Sequence, residues 1–123
     1  MKQLLLVFLG GGFGSSLRYF ISKYLNDSQL GVPYGTFFVN ILGSLIIGLL
    51  LGFAFKYKTI SNETMLLLAT GFCGGFTTFS AFAYENYIYF RSGDYLSLGL
   101  YTIISLIFGI TAVIIGMWLV RFI

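Results

Sequence analysis

Few side chains in this chain can do chemistry, and their placement narrows what that chemistry is. Asn40 is the one amide deep in the apolar run Gly35-Thr36-Phe37-Phe38-Val39-Asn40-Ile41-Leu42-Gly43. A polar group in such a run must find partners or face water. It reads either as an interhelical hydrogen bond or as a donor facing a wet path. Phe79 and Phe82 are spaced i,i+3 and share a helix face. An aromatic edge carries partial positive charge, so the pair is either packing or two edges offered to an anion. Tyr101 and Ser105, spaced i,i+4, put two hydroxyls on one helix face. Arg18 is the one strongly basic residue within reach of the interior, where it either draws anions into a vestibule or snorkels outward. Glu85 follows Phe82 by three and continues its face. It anchors a helix or tunes a pore, and both readings stay open.

The residue counts exclude other chemistries. The chain has no His, so His-based zinc sites, Ser-His-Asp triads and Cys-His dyads cannot form within it. Its single Cys, Cys73, allows no intrachain disulfide and reads as a small packing residue. No nucleophile–base pair can be assembled, so an enzyme is not expected. The net charge of +3 is scattered, with no basic cluster, so nucleic acid is not an expected partner. The run Gly10-Gly11-Gly12-Phe13-Gly14-Ser15 misses the G-x-G-x-x-G spacing and lacks the Gly-Lys-Ser/Thr of a P-loop.

The elements that position these residues must lie in a bilayer. Of 123 residues, 58% are hydrophobic and 9% charged, too few charges to coat a soluble core. A span needs about 20 residues. Charged and turn residues divide the chain into four such runs, at about 4–24, 34–55, 64–90 and 95–120. The expected fold is therefore an all-α membrane protein, one four-helix domain over 1–123. Asn26-Asp27-Ser28-Gln29-Leu30-Gly31-Val32-Pro33 reads as a turn. Lys56-Tyr57-Lys58 and Ser61-Asn62-Glu63 read as a polar loop, with Ser61 or Asn62 capping the third helix and Glu63 in its first turn. Arg91-Ser92-Gly93-Asp94 reads as a tight turn. The first run continues through Tyr19-Phe20-Ile21, which argues against a cleaved signal peptide.

Gly10 and Gly14, Gly48 and Gly52, and Gly71 and Gly75 are small-xxx-small pairs suited to close helix packing. In the third run, Gly74-Gly75 followed by Thr77-Thr78 is a poor helix interior. A break near mid-membrane is expected, and it must be buried or line a water-filled cavity. An even number of spans puts both termini on one side with Lys2, Lys56, Lys58 and Arg121, against Lys23, Arg91 and at most Arg18 opposite. That bias is weak for the positive-inside rule, which motivates insertion in both directions and an antiparallel dimer.

At these residues the chain resembles the Fluc (CrcB) fluoride channel family. The resemblance rests on Gly11-Gly12-Phe13-Gly14 leading to Leu17-Arg18-Tyr19, on Gly35-Thr36-Phe37-Phe38-Val39-Asn40, on Gly71-Phe72-Cys73-Gly74-Gly75-Phe76-Thr77-Thr78-Phe79-Ser80, and on Tyr101 with Ser105. It covers essentially the whole chain. It implies a multi-pass protein of the bacterial cell inner membrane, forming a dual-topology antiparallel homodimer with two pores that pass fluoride passively and protect against its toxicity. It implies an anion pathway of Asn40, Phe79, Phe82, Thr78, Ser80, Tyr101, Ser105 and Arg18. It also implies a structural sodium ion at the dimer centre, held by backbone carbonyls of Gly74 and Thr77 from both chains. The implied partners are fluoride, a second copy of the chain and the lipid bilayer.

Two departures bear on the hydroxyl track. Ala81 stands between Ser80 and Phe82, where many relatives are expected to carry a hydroxyl, and Gly109 adds no donor beyond Ser105. Other readings follow from particular residues. A four-span multidrug exporter needs an acid deep in the first helix, which here holds Arg18 instead. A fluoride–proton antiporter would have to use Glu85. The chain as one partner of a heterodimeric channel, or as a non-conducting subunit, completes the set.

Overall fold

The computed structural model describes residues 1–26, 31–57 and 60–123, and every regular element among them is helical. Asp27, Ser28, Gln29 and Leu30 of the expected turn, and Lys58 of the expected loop, lie outside the described residues. Helix α1 runs Lys2–Leu25 and α2 runs Tyr34–Tyr57. The third span starts as α3 (Asn62–Met65), widens into a π-helical stretch (Leu66–Cys73) and closes as a short α4 (Gly74–Phe76). After a break it resumes as α5 (Phe79–Ser92). Helix α6 (Tyr95–Leu119) ends in a 3₁₀ turn, Val120–Phe122. Four stretches are long and apolar enough to cross a membrane: Lys2–Leu25, Tyr34–Tyr57, Asn62–Ser92 and Tyr95–Phe122. They match the four apolar runs, and the third carries the expected break.

Local chemistry sets the helix ends. Ser61 caps α3 by accepting from the Thr64 N–H at 3.1 Å. Glu63 in that first turn pairs with Lys2 at 2.6 Å, tying the start of α1 to the start of the third span. Lys56 donates to the Val120 carbonyl at 3.1 Å, satisfying the end of the last span from the end of the second. The hairpin between α5 and α6 turns on Gly93, whose φ of 78° is the left-handed conformation that suits glycine. Arg91 and Ser92 are still helical, so the turn is shorter than the sequence pattern suggested.

Asp94 caps α6 by accepting from the Ser97 N–H at 3.1 Å. The Ser97 hydroxyl and backbone N–H hold its carboxyl below the usual carboxylate range. A depressed folded pKa contributes stability that is present above the unfolded value and lost as pH falls through the folded one. The hairpin should therefore be indifferent to pH near neutrality and weaken only below about pH 4. Asp94→Asn keeps a capping oxygen and should flatten that acid limb in thermal unfolding measured against pH.

The glycine pairs do what their spacing suggests. A Cβ on Gly10 would meet the Phe72 nitrogen at 2.8 Å, and one on Gly14 the Phe76 nitrogen at 2.9 Å. From the other side, a Cβ on Gly75 would lie 2.9 Å from the Gly11 Cα. Helix α1 and the third span thus meet backbone to backbone, with Phe76 buried beside the seam. Gly48 and Gly116 let α2 and α6 meet in the same way. With no backbone free to give way, Gly14→Ala should cost about 1–3 kcal/mol, seen as a lower melting temperature in detergent.

Candidate functional site at the helix break

The break lies at Thr77 and Thr78, not at the glycines before them. Gly74 is helical (φ −62°, ψ −36°), whereas Thr77 (ψ 157°) and Thr78 (φ −148°, ψ 121°) are extended. Asn40 of α2 stands across this gap. Its Oδ1 accepts from the Thr78 N–H at 2.7 Å, and its Nδ2 donates to the Thr78 carbonyl at 3.1 Å. The amide oxygen thus replaces the acceptor that the broken helix no longer offers to Thr78, and the amide N–H adds a second donor to the Thr78 carbonyl at the start of α5. The Thr78 hydroxyl accepts from the Ala81 N–H at 3.2 Å and so caps α5.

These substitutions decide which carbonyls are left over. In an uninterrupted helix the Thr78 N–H would donate to Gly74 and the Ala81 N–H to Thr77. Both amides are instead taken by side chains. The carbonyls of Gly74 and Thr77 are therefore without their helical donors, and a Cβ on Gly74 would meet nothing within 4 Å. The next carbonyl faces the other way and is satisfied: Gly75 accepts from Arg18 Nε at 3.0 Å and from the Ser15 hydroxyl at 3.3 Å.

A groove of about 560 Å³ opens beside the break. Asn40, Thr78, Phe79, Phe82 and Ser105 line it, together with Gly74 and Thr77. The Phe79 and Phe82 rings are 5.8 Å apart and tilted by 45°, and Phe79 is 77% exposed. Ser105 presents a buried hydroxyl oxygen with no hydrogen-bond partner among the described residues. The unspent polar capacity of the groove is thus neutral, and among the described residues no Lys, Arg, Asp or Glu lines it.

Three residues of the sequence-derived pathway stand elsewhere. The Tyr101 hydroxyl donates to Glu85 Oε2 at 2.8 Å, while its ring packs on Phe82 at 5.3 Å. Ser80 shares a 3.1 Å hydrogen bond with the Thr78 hydroxyl and is not among the groove's lining residues. Arg18 sits behind the break on Gly75, joining α1 to the third span. Glu85 accepts on both oxygens, from Thr36 at 2.5 Å and from Tyr101, and so links α2, α5 and α6. Of its two sequence readings, this geometry is that of an anchor.

Sequence reasoning passed over Thr36 and Asn26. Thr36 is 1% exposed, and Asn26 Nδ2 donates to its hydroxyl at 3.2 Å. Asn26 Oδ1 also accepts from the Gly35 N–H at 2.6 Å, capping the start of α2. The available signal was a polar residue on each side of the only Pro, at the ends of two spans.

The family model described as CrcB-like protein, Camphor Resistance (CrcB), matches residues 5–117. The chain belongs to the CrcB family. A relative from Gloeothece citriformis is 48% identical over 122 residues, covering 98% of each chain. One from Hyphomonas neptunium is 49% identical over 123 residues, covering 98% of this chain and 97% of its own. One from Ignicoccus hospitalis is 41% identical over 116 residues, covering 94% and 93%. All three relatives are named fluoride-specific ion channel FluC. Membership of the CrcB family agrees with four membrane-length helices in a multi-pass membrane protein.

Proposed function

We propose that this CrcB-family chain is a fluoride-specific ion channel, giving passive fluoride efflux across the membrane. The observation that carries the reading is the lining of the groove: ring edges, threonines, an orphaned serine hydroxyl and an amide, with no cation among the described lining residues to trap the ion. Fluoride is small and strongly hydrated, so a pore must replace water's hydrogen bonds with protein donors. Conduction also requires binding weak enough for release. Neutral donors meet both conditions. The arrangement is that of a channel and not of an enzyme.

Phe79, Phe82, Thr78 and Ser105 are the residues we assign to the anion path, with Asn40 holding the break and sharing its amide with a passing ion. Tyr101 supports Phe82, and its hydroxyl reaches the ion only by leaving Glu85. Arg18 raises the local potential from behind Gly75 instead of lining the path. Coupled fluoride–proton exchange would have to use Glu85, whose carboxylate is committed to two hydroxyl donors.

The groove is open along the exposed faces of Phe79, Leu106 and Ile110. A second copy in antiparallel orientation would close it and give the functional unit two paths. The same pairing would bring two sets of Gly74 and Thr77 carbonyls together. A sodium ion suits that place, because hard cations take oxygen ligands and these carbonyls have lost their helical donors to Asn40 and Thr78. When bound, sodium would supply fixed positive charge and a joint between the copies. Exchange of sodium for a large organic cation should lower the melting temperature of the assembled protein, checked by titrating sodium back.

The deciding experiment is fluoride efflux from liposomes holding the purified protein, with valinomycin to carry potassium and chloride-loaded vesicles alongside. Rapid fluoride release that needs the ionophore, without chloride release, is the expected result. Release without the ionophore would indicate proton coupling. No release from a well-folded assembly would indicate a heterodimer partner or a non-conducting subunit.

A further inference from the structure

The hairpin of α5 and α6 is joined by two consecutive polar rungs, the first of which belongs to the Glu85 anchor. Glu85 meets Tyr101; one residue on in each helix, Asn86 meets Thr102. The Thr102 hydroxyl donates to Asn86 Oδ1 at 2.8 Å. Asn86 Nδ2 donates in turn to the Phe82 carbonyl at 3.0 Å. Both ends of the amide are therefore spent, one across the helix pair and one on the residue whose ring faces the groove.

We propose that Asn86 and Thr102 are positioning residues that hold Phe82 in register against Tyr101, and so set the aromatic wall of the anion path. Consecutive residues on an α-helix point about 100° apart, so the two rungs leave each helix in different directions. One rung is a pivot about which α5 can still rotate on α6. Two rungs that are not collinear fix translation and rotation together. Phe82 lies one turn before Asn86 on the same helix, and its ring rests 5.3 Å from that of Tyr101. No residue of α5 is buried, so apolar packing against α6 constrains the rotation of this helix only loosely. The directional pair supplies what packing leaves open.

The inference rests on the channel reading, and its test separates the two. Fluoride efflux per assembled protein, selectivity over chloride and melting temperature are measured for wild type, Asn86→Leu, Thr102→Val, Thr102→Ser and the double variant Asn86→Leu/Thr102→Val. Each apolar single variant should lose roughly tenfold or more in flux, the scale on which misplacement of a working group is felt. Thr102→Ser keeps the hydroxyl and should stay close to wild type. Replacing both partners by apolar groups leaves nothing buried and unpaired, so the double variant should recover melting temperature without recovering flux. A double variant that recovers both would reduce the pair to packing and overturn the proposal, as would singles that conduct like wild type. A wild-type protein that passes no fluoride would overturn the channel reading beneath it.

Discussion

Phe79→Ile and Phe82→Ile should each abolish fluoride flux while leaving the assembled protein intact. Phe79 is largely exposed and lines the groove, and Phe82 lines it too while packing on Tyr101. An isoleucine fills much of the same space without an electropositive edge. A dehydrating anion passing that point then has nothing in place of the water it sheds. Hydrogen bonds to charged groups contribute about 1.5–3 kcal/mol each. Losing one such contact on the path, with the water it replaced, slows passage by roughly a hundredfold. Efflux from liposomes and gel filtration of the same preparations check the two halves of the expectation. Unchanged flux in both variants would sink the aromatic-edge mechanism.

Asn40→Leu should fail differently, losing fold and flux together. The side chain satisfies both the N–H and the carbonyl of Thr78. Leucine would leave the Thr78 N–H unpaired at membrane depth, at about 1–3 kcal/mol, and would strip the Thr78 carbonyl of the donor it has beside the first bond of α5. Asn40→Asp separates the roles. It keeps an acceptor for the Thr78 N–H, turns the donor into an acceptor facing the Thr78 carbonyl, and puts a negative charge beside the anion's route. We expect Asn40→Asp to assemble better than Asn40→Leu and to conduct no better. The measurements are the yield of monodisperse protein and fluoride efflux. Full flux in Asn40→Asp would remove the amide from the mechanism.

The contrast between these variants shows what could be read from the sequence. The four spans were legible because hydropathy is a property of each run by itself. The break was legible because Gly74-Gly75 and Thr77-Thr78 together are poor helix formers. Its exact place was not, since Gly74 stays helical and the chain leaves the helix at Thr77. Periodicity put Tyr101 and Ser105 on one face, and they are on one face. Spacing cannot say that the Tyr101 hydroxyl reaches Glu85 while that of Ser105 remains unspent. Arg18 was placed near the interior, but its partner is a backbone carbonyl of Gly75, which no side-chain pattern reveals. The Glu85 anchor needed Thr36, a residue that hydropathy treats as an unremarkable threonine at a span's edge. In each case the missing information is a partner on another helix.

The widened stretch Leu66–Cys73 has a consequence for how this chain can change over generations. A π turn holds more residues than an α turn, so the faces that follow it are set by how many residues precede them. Gly71 and Gly75 meet α1, and Thr77 leaves the helix, in that shifted register. Removing one residue from the stretch would let it close to ordinary α geometry and take up the loss locally, whereas a further deletion, with no widened turn left, would turn everything downstream by about 100°. Point replacements there are not free, because Gly71 meets α1 and Ala69 and Cys73 are buried. The stretch is instead a reserve of length, able to lose one residue where the letters themselves are held by packing.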